Sequence, residues 1–331
     1  MLQISNLRMG LDFTGQDLKR AAAKKLRLPE RALISVELAK KSVDARKKDR
    51  VHFVCAARVR VDTDEGRLIN RLKDSSVRIV EPYVLELPNT PAPELPPVVV
   101  GFGPAGMFAG LILARCGQRP IIIERGQPVE ERQRAVELFW RQGRLDPESN
   151  VQFGEGGAGA FSDGKLTTGT GDGRIRYVLE ELAAAGAPEE ILTDAKPHIG
   201  TDRLPGVVKN IREKILELGG QVLFDTKLTD ILTNSGHVSG ITVQTPDGER
   251  TIPCKKLILA VGHSARDVFA LLHRKGLPME QKPFSVGVRI EHPAALVDRA
   301  QYGIFAGHPA LGAADYKLSC HLKNGRGVYT F

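Results

Sequence analysis

Three glycines in the run Gly101-Phe102-Gly103-Pro104-Ala105-Gly106 have the spacing of a turn that grips a diphosphate. Gly101 permits the tight turn, and Gly103 lets the backbone approach the phosphates. Gly106 lets a following helix pack closely, and that helix's first N–H groups face the anion. Pro104 suits the first helical turn, where its missing N–H costs nothing, and Ala105 completes the turn. The apolar run Val98-Val99-Val100 precedes the turn, and Met107 to Ala114 continues it as an apolar helix. A second apolar run, Ile121-Ile122-Ile123, ends in Glu124, where a carboxylate should accept ribose hydroxyls. A lone G-x-G-x-x-G is a weak signal. Strand, turn, helix, strand and terminal acid together specify a dinucleotide site.

That fingerprint serves NAD and FAD alike. Leu257-Ile258-Leu259-Ala260-Val261-Gly262 resembles the A-T-G segment of flavoproteins with a glutathione-reductase-like FAD domain, where a strand rejoins the sheet after a β-meander. Gln221 to Leu228 is similar to the strand whose end passes the adenine in that class. The resemblance implies FAD, with Ala260, Gly262 and Leu228 beside it. Asn150 to Leu166 (NVQFGEGGAGAFSDGKL) resembles the signature of a bacterial family of largely uncharacterised FAD-dependent dehydrogenases. Ser42 to Lys48 (SVDARKK) and Leu311 to Lys317 (LGAADYK) resemble the same family. What this implies is an enzyme of unnamed substrate. The family's chains continue past residue 331, and Gly325 to Phe331 reads like the start of a core strand. A C-terminally truncated sequence is therefore expected, without the segment that caps the flavin.

Further residues are candidates around such a cofactor. In related flavoproteins an Arg soon after the ribose acid reaches the pyrophosphate or ribose, which makes Arg125 and Arg132 candidates; Val129 to Phe139 also reads as an ordinary charged helix. Gly159 to Lys165 fits the first part of a G-x-x-x-x-G-K loop, but Leu166 stands where Ser or Thr should ligate Mg²⁺. The reading is instead a glycine-rich loop against the flavin, with Gly159, Phe161, Ser162 and Lys165 as contacts. A cation at Lys165 could stabilise a reduced, anionic flavin, against a surface ion pair as the plainer role. His263 follows the A-x-G segment, and a structural histidine is its plainer role. No metal spacing, nucleophile elbow, redox cysteine pair or second dinucleotide fingerprint occurs. A disulfide reductase with its own NAD domain is excluded, leaving NAD(P)H as a transient electron donor or a substrate that reduces the flavin directly.

Three regions position these residues. Residues 1–86 alternate and cap in the order β-α-β-β-α-β, which suits a small ferredoxin-like α+β domain. Residues 87–97 (LPNTPAPELPP) form a Pro-rich linker. Residues 98–331 read as an α/β, Rossmann-type FAD-binding domain with an inserted β-meander and the start of a substrate domain. The formal charge of +8 is uneven: residues 1–90 hold 19 Lys+Arg against 12 Asp+Glu, the rest 28 against 27. An acidic protein partner for residues 1–86 is the expectation, with a solubilising face as the alternative. Nucleic acid is not expected, because Phe53 is the only aromatic in its strand and no stacking pair accompanies it. Scattered cysteines suit a reducing cytoplasm, and no apolar run reaches spanning length. The sequence thus predicts a cytoplasmic FAD-dependent oxidoreductase passing a hydride between flavin and a small molecule. The alternative is a flavin-carrying adaptor whose basic first domain engages an acidic protein or RNA.

Overall fold

The computed structural model describes residues 1–161 and 164–330, and the chain divides into two compact units. The first comprises Met1–Pro82, Thr193–Ala195 and Pro283–Phe331; the second comprises Tyr83–Leu192 and Lys196–Lys282.

The first unit opens with β1 (Leu2–Met9), α1 (Gly15–Leu26), β2 (Leu33–Asp44), β3 (His52–Val61), α2 (Glu65–Leu72) and β4 (Val77–Ile79). Thr14 and Asp17 form the capping box that starts α1, each side chain accepting from the other's backbone N–H. Strand order β2-β3-β1-β4, antiparallel throughout, is that of a ferredoxin-like sheet. One face carries Leu2, Ile4, Phe53, Cys55, Ala57 and Val59, all buried with Leu18, Ala22 and Leu26 of α1 and Leu68 and Leu72 of α2. The other face is polar, as period-two alternation requires.

The second unit holds β5 (Val98–Val100), α3 (Pro104–Arg115), β6 (Ile121–Ile123), α4 (Val129–Gln142), α5 (Arg174–Ala184), α6 (Leu204–Glu217), β7 (Gln221–Leu223), β8 (Lys227–Asn234), β9 (His237–Thr245), β10 (Gly248–Pro253), β11 (Leu257–Leu259) and α7 (Arg266–Arg274). Its parallel sheet has the order β11-β5-β6-β7. Val98, Val99 and Ile122 are wholly buried, as expected of parallel strands covered on both faces. β8, β9 and β10 form the antiparallel meander inserted before β11. This is the Rossmann-type α/β arrangement of FAD-binding proteins. Because β6 and β11 lie on opposite sides of β5, a crevice opens at the strands' carboxyl ends, where this topology places its ligand.

The chain ends with α8 (Ala294–Tyr302) and the exposed hairpin of β12 (Ser319–His321) and β13 (Gly327–Tyr329). Tyr302 and Leu311 are buried in the first unit's core. Among the described residues no helix is long and apolar enough to cross a membrane.

Candidate functional site

The turn between β5 and α3 is fixed by close backbone approach. Gly101 has φ +96°, and a Cβ there would lie 2.5 Å from the carbonyl oxygen of Ala260. At Gly106 a Cβ would lie 1.8 Å from the Gly101 oxygen, so only glycine lets α3 begin where it does. Gly103, by contrast, sits at the helix N-cap with φ −75° and has nothing nearer to its Cβ position than the Cα of Gly157, at 3.7 Å. The N–H of Met107 closes the first helical turn on the Gly103 carbonyl at 2.9 Å. Among the described residues, the N–H groups of Gly103, Ala105 and Gly106 donate to no protein acceptor. Gly103 is partly exposed, Ala105 is exposed and Gly106 is buried. Pro104 stands at the first helical position and has no N–H to satisfy.

Glu124 lies just past β6 and is 5% exposed. One carboxylate oxygen accepts the N–H of Phe102 at 2.8 Å; the other accepts those of Gly126 at 3.0 Å and Gly154 at 2.9 Å. An ionised carboxylate offers about four lone-pair sites, so one is left on the oxygen that meets Phe102. The acid therefore ties the β5–α3 turn to its own loop and to the loop at Gly154. Beside it a cavity of about 30 Å³ is lined by Gly101, Arg125, Phe153, Thr226, Leu228 and Val261, among others. The Arg125 guanidinium stacks on Phe153 at 4.4 Å and pairs with Asp267 at 2.6 Å and Glu148 at 3.4 Å.

Arg132 is placed differently from the sequence expectation of a phosphate or ribose contact. It is fully buried, and its five N–H groups go to the carbonyls of Asn150 (2.8 Å), Val151 (3.0 Å), Gly154 (3.3 Å), Gly157 (2.9 Å) and Glu155. Its face covers Phe161 at 4.8 Å. No donor remains for an external anion, and burial holds this arginine down at about 10. What it does is curl residues 150–157 into a loop. That loop meets the turn through the Gly156 N–H, which donates to the Phe102 carbonyl at 2.8 Å.

Glu155 and Arg212 complete the loop's support, and neither was singled out from sequence. Glu155 is wholly buried; one oxygen accepts the Val129 N–H at the start of α4 and an N–H of Arg212, both at 2.8 Å. Its other oxygen has no partner, and burial pushes the carboxyl up to about 7. Arg212 also reaches Glu130 at 2.8 Å. Glu155 stands inside the quoted signature and could have been noticed there. Arg212 is one charged position of an amphipathic helix and carries no signal of its own.

The structure thus gathers Gly101, Gly103, Pro104, Ala105, Gly106, Glu124 and Ala260 at one turn, with Arg125 and Leu228 in the adjoining cavity. Gly262 follows β11 with φ +70°, next to the cavity-lining Val261. A Cβ on Gly159 would lie 4.0 Å from Pro104, which puts the glycine-rich loop beside the turn, and Phe161 lies under Arg132. Lys165 forms an isolated antiparallel bridge with His198 and is not among these contacts. Ser162 lies outside the described residues.

A parallel sheet with this turn at the carboxyl end of an inner strand, and a meander inserted before β11, defines a Rossmann-type dinucleotide-binding fold of the FAD-binding kind. Residues 283–331 match the family model "FAD-dependent protein, C-terminal domain-like", which agrees with the resemblance read from the sequence and names FAD as the cofactor. Residues 1–60 match a domain family of unknown function. An uncharacterised protein from Clostridium beijerinckii is 46% identical over 333 aligned residues, which take in 100% of this chain and 62% of that protein. The chain thus spans less than two thirds of that relative's length. Among solved structures, THI4 from Thermovibrio ammonificans is 20% identical with a TM-score of 0.38, covering 56% of this chain and 64% of its own. The glycerol-3-phosphate dehydrogenase of Bacillus halodurans, complexed with FAD, is 15% identical with a TM-score of 0.35, covering 54% and 36%.

The protein groups present fit FAD. Among the described residues three N–H groups at a helix start have no protein acceptor, the space over Gly103 lacks a side chain, and Glu124 keeps a free acceptor site. These are the groups a diphosphate and its adjoining ribose require.

Proposed function

We propose that this chain is the FAD-holding part of an oxidoreductase that passes a hydride between flavin and a small molecule. The observation that carries the reading is the set of Gly103, Ala105 and Gly106 amides without protein acceptors, at the crevice of a parallel sheet beside Glu124. In this reading those amides and the α3 dipole bind the diphosphate. Glu124 accepts a ribose hydroxyl, while Arg125, Leu228, Ala260 and Gly262 border the adenosine. Arg132, Glu155 and Arg212 act one step back, by holding the loop that brings Gly159 and Phe161 to the cofactor. Ser162 and Lys165 belong to the same proposed loop, Lys165 as the cation that favours reduced flavin.

Bound FAD supplies the acceptor for a hydride and its two electrons. The protein's share is to fix the cofactor, exclude water and balance charge. NAD(P)H is the proposed transient donor.

The test is reconstitution with FAD, then anaerobic addition of NADH, NADPH or candidate substrates while the flavin band near ~450 nm is followed. Bleaching by any of them supports an oxidoreductase. A stably held flavin that no donor reduces would instead support the flavin-carrying adaptor.

A further inference from the structure

Beyond the flavin reading, and independent of it, we propose that the open face of the first unit's sheet docks an acidic protein segment. Arg78 on β4, Gln3 on β1 and Arg58 on β3 are direct neighbours in one rung across the sheet. Arg60 follows Arg58 on the same side of β3, opposite Ser35, and Arg8 and Lys40 join the face opposite Val54 and Ala56. At strand spacings of about 4.8 Å, Arg78 and Arg58 stand roughly 10 Å apart, and Arg58 and Arg60 about 7 Å. Arg8, Lys40, Arg60 and Arg78 are exposed, and Arg58 is half-buried. Among the described residues none of the five makes an ion pair. Like charges at neighbouring sheet positions repel unless something anionic covers them.

The acids on this face do not cancel the charge. Glu37 sits opposite Arg58, and Asp44 at the far end of β2 is held by Arg46. The helices do not cover it either, since α1 and α2 pack on the opposite, apolar side.

Why a protein segment rather than a nucleic acid? The face offers no Phe, Tyr or Trp ring on which a base could stack, because Phe53 points into the core; its single imidazole, His52, sits at the far end beside Asp44. Glu37, in its middle, would oppose a continuous phosphate chain. Discrete carboxylates, in contrast, can each take a planar guanidinium through two N–H bonds and avoid Glu37. Gln3 and Ser5, partly exposed, add neutral hydrogen-bonding groups between the arginines.

The test uses the whole chain and a fluorescein-labelled peptide of ten glutamates, read by fluorescence anisotropy, with a ten-nucleotide oligouridylate as competitor. Binding should weaken about tenfold or more between low and physiological salt. The triple variant R58S/R60S/R78S should bind at least about tenfold more weakly, while K24S/R67S/R71S, on the helical side, should stay within about twofold. Should the serine variant not fold, R58K/R60K/R78K keeps the charge and loses the fork, and about threefold weaker binding is expected. Peptide binding unchanged by the face variants would overturn the proposal. So would oligouridylate that binds more tightly than the peptide, which would make the surface one for nucleic acid.

Discussion

Glu155 is a carboxylic acid with half its hydrogen-bonding capacity unused in a dry place. Burial raises it from 4.5 to about 7, so between those values the folded chain holds a proton that the unfolded chain has released. Stability contributed by that proton is present below the unfolded value and is lost as pH rises through the folded one, by up to about 3 kcal/mol. Glu155→Gln should abolish this slope, which urea midpoints at pH 5 and pH 8 would reveal as a larger wild-type minus variant difference at the lower pH. Arg132 is the second pivot. Replacing it with alanine removes a donor from five loop carbonyls, of which Gly154 keeps the Gly157 N–H, and leaves Glu155 with less positive charge nearby. A loss of about 3–5 kcal/mol in unfolding free energy is expected, together with weaker FAD retention. Lysine cannot mimic five donors in a plane and should rescue little.

At the level of elements, the β5–turn–α3 unit separates packing glycines from Gly103, the glycine proposed to meet the cofactor. Gly106→Ala drives a methyl into the Gly101 carbonyl and should destabilise the fold by about 1–3 kcal/mol. Gly103→Asp places a negative side chain over the amides at a position with ordinary backbone angles and open space. It should melt near the wild-type temperature yet lose FAD, and thermal melts with and without cofactor check both halves. This unit was legible in the sequence because every part of it has a local signal: apolar runs for β5 and β6, glycine spacing for the turn, Pro104 for the helix start. The ferredoxin-like order was legible for the same reason, through alternation in β3 and the capping box of α1. What the sequence concealed lacks such signals. α5 has no side-chain cap and buries only Leu182, so its periodicity is faint. β8 breaks its alternation at an irregularity between Leu228 and Asp230. The role of Arg132 was invisible because backbone carbonyls carry no residue code.

For the molecule as a whole, among the described residues the first unit has one core and the second unit two, built from different residues. The FAD contacts proposed above all belong to the second unit. In calorimetry a ligand that binds one unit alone shifts only that unit's transition, by about 2.7 kcal/mol at a hundredfold excess over Kd. Two transitions are therefore expected, of which FAD raises one and the Glu-rich peptide the other. The central claim is that the α3 amides grip a diphosphate, and the most direct measurement compares FAD with riboflavin, which has the same ring system and no diphosphate. Titrating each into the chain and reading flavin fluorescence should give FAD binding at least about a hundredfold tighter, with the difference erased by Gly103→Asp. Equal affinity for the two flavins, or FAD binding indifferent to Gly103→Asp, would contradict it.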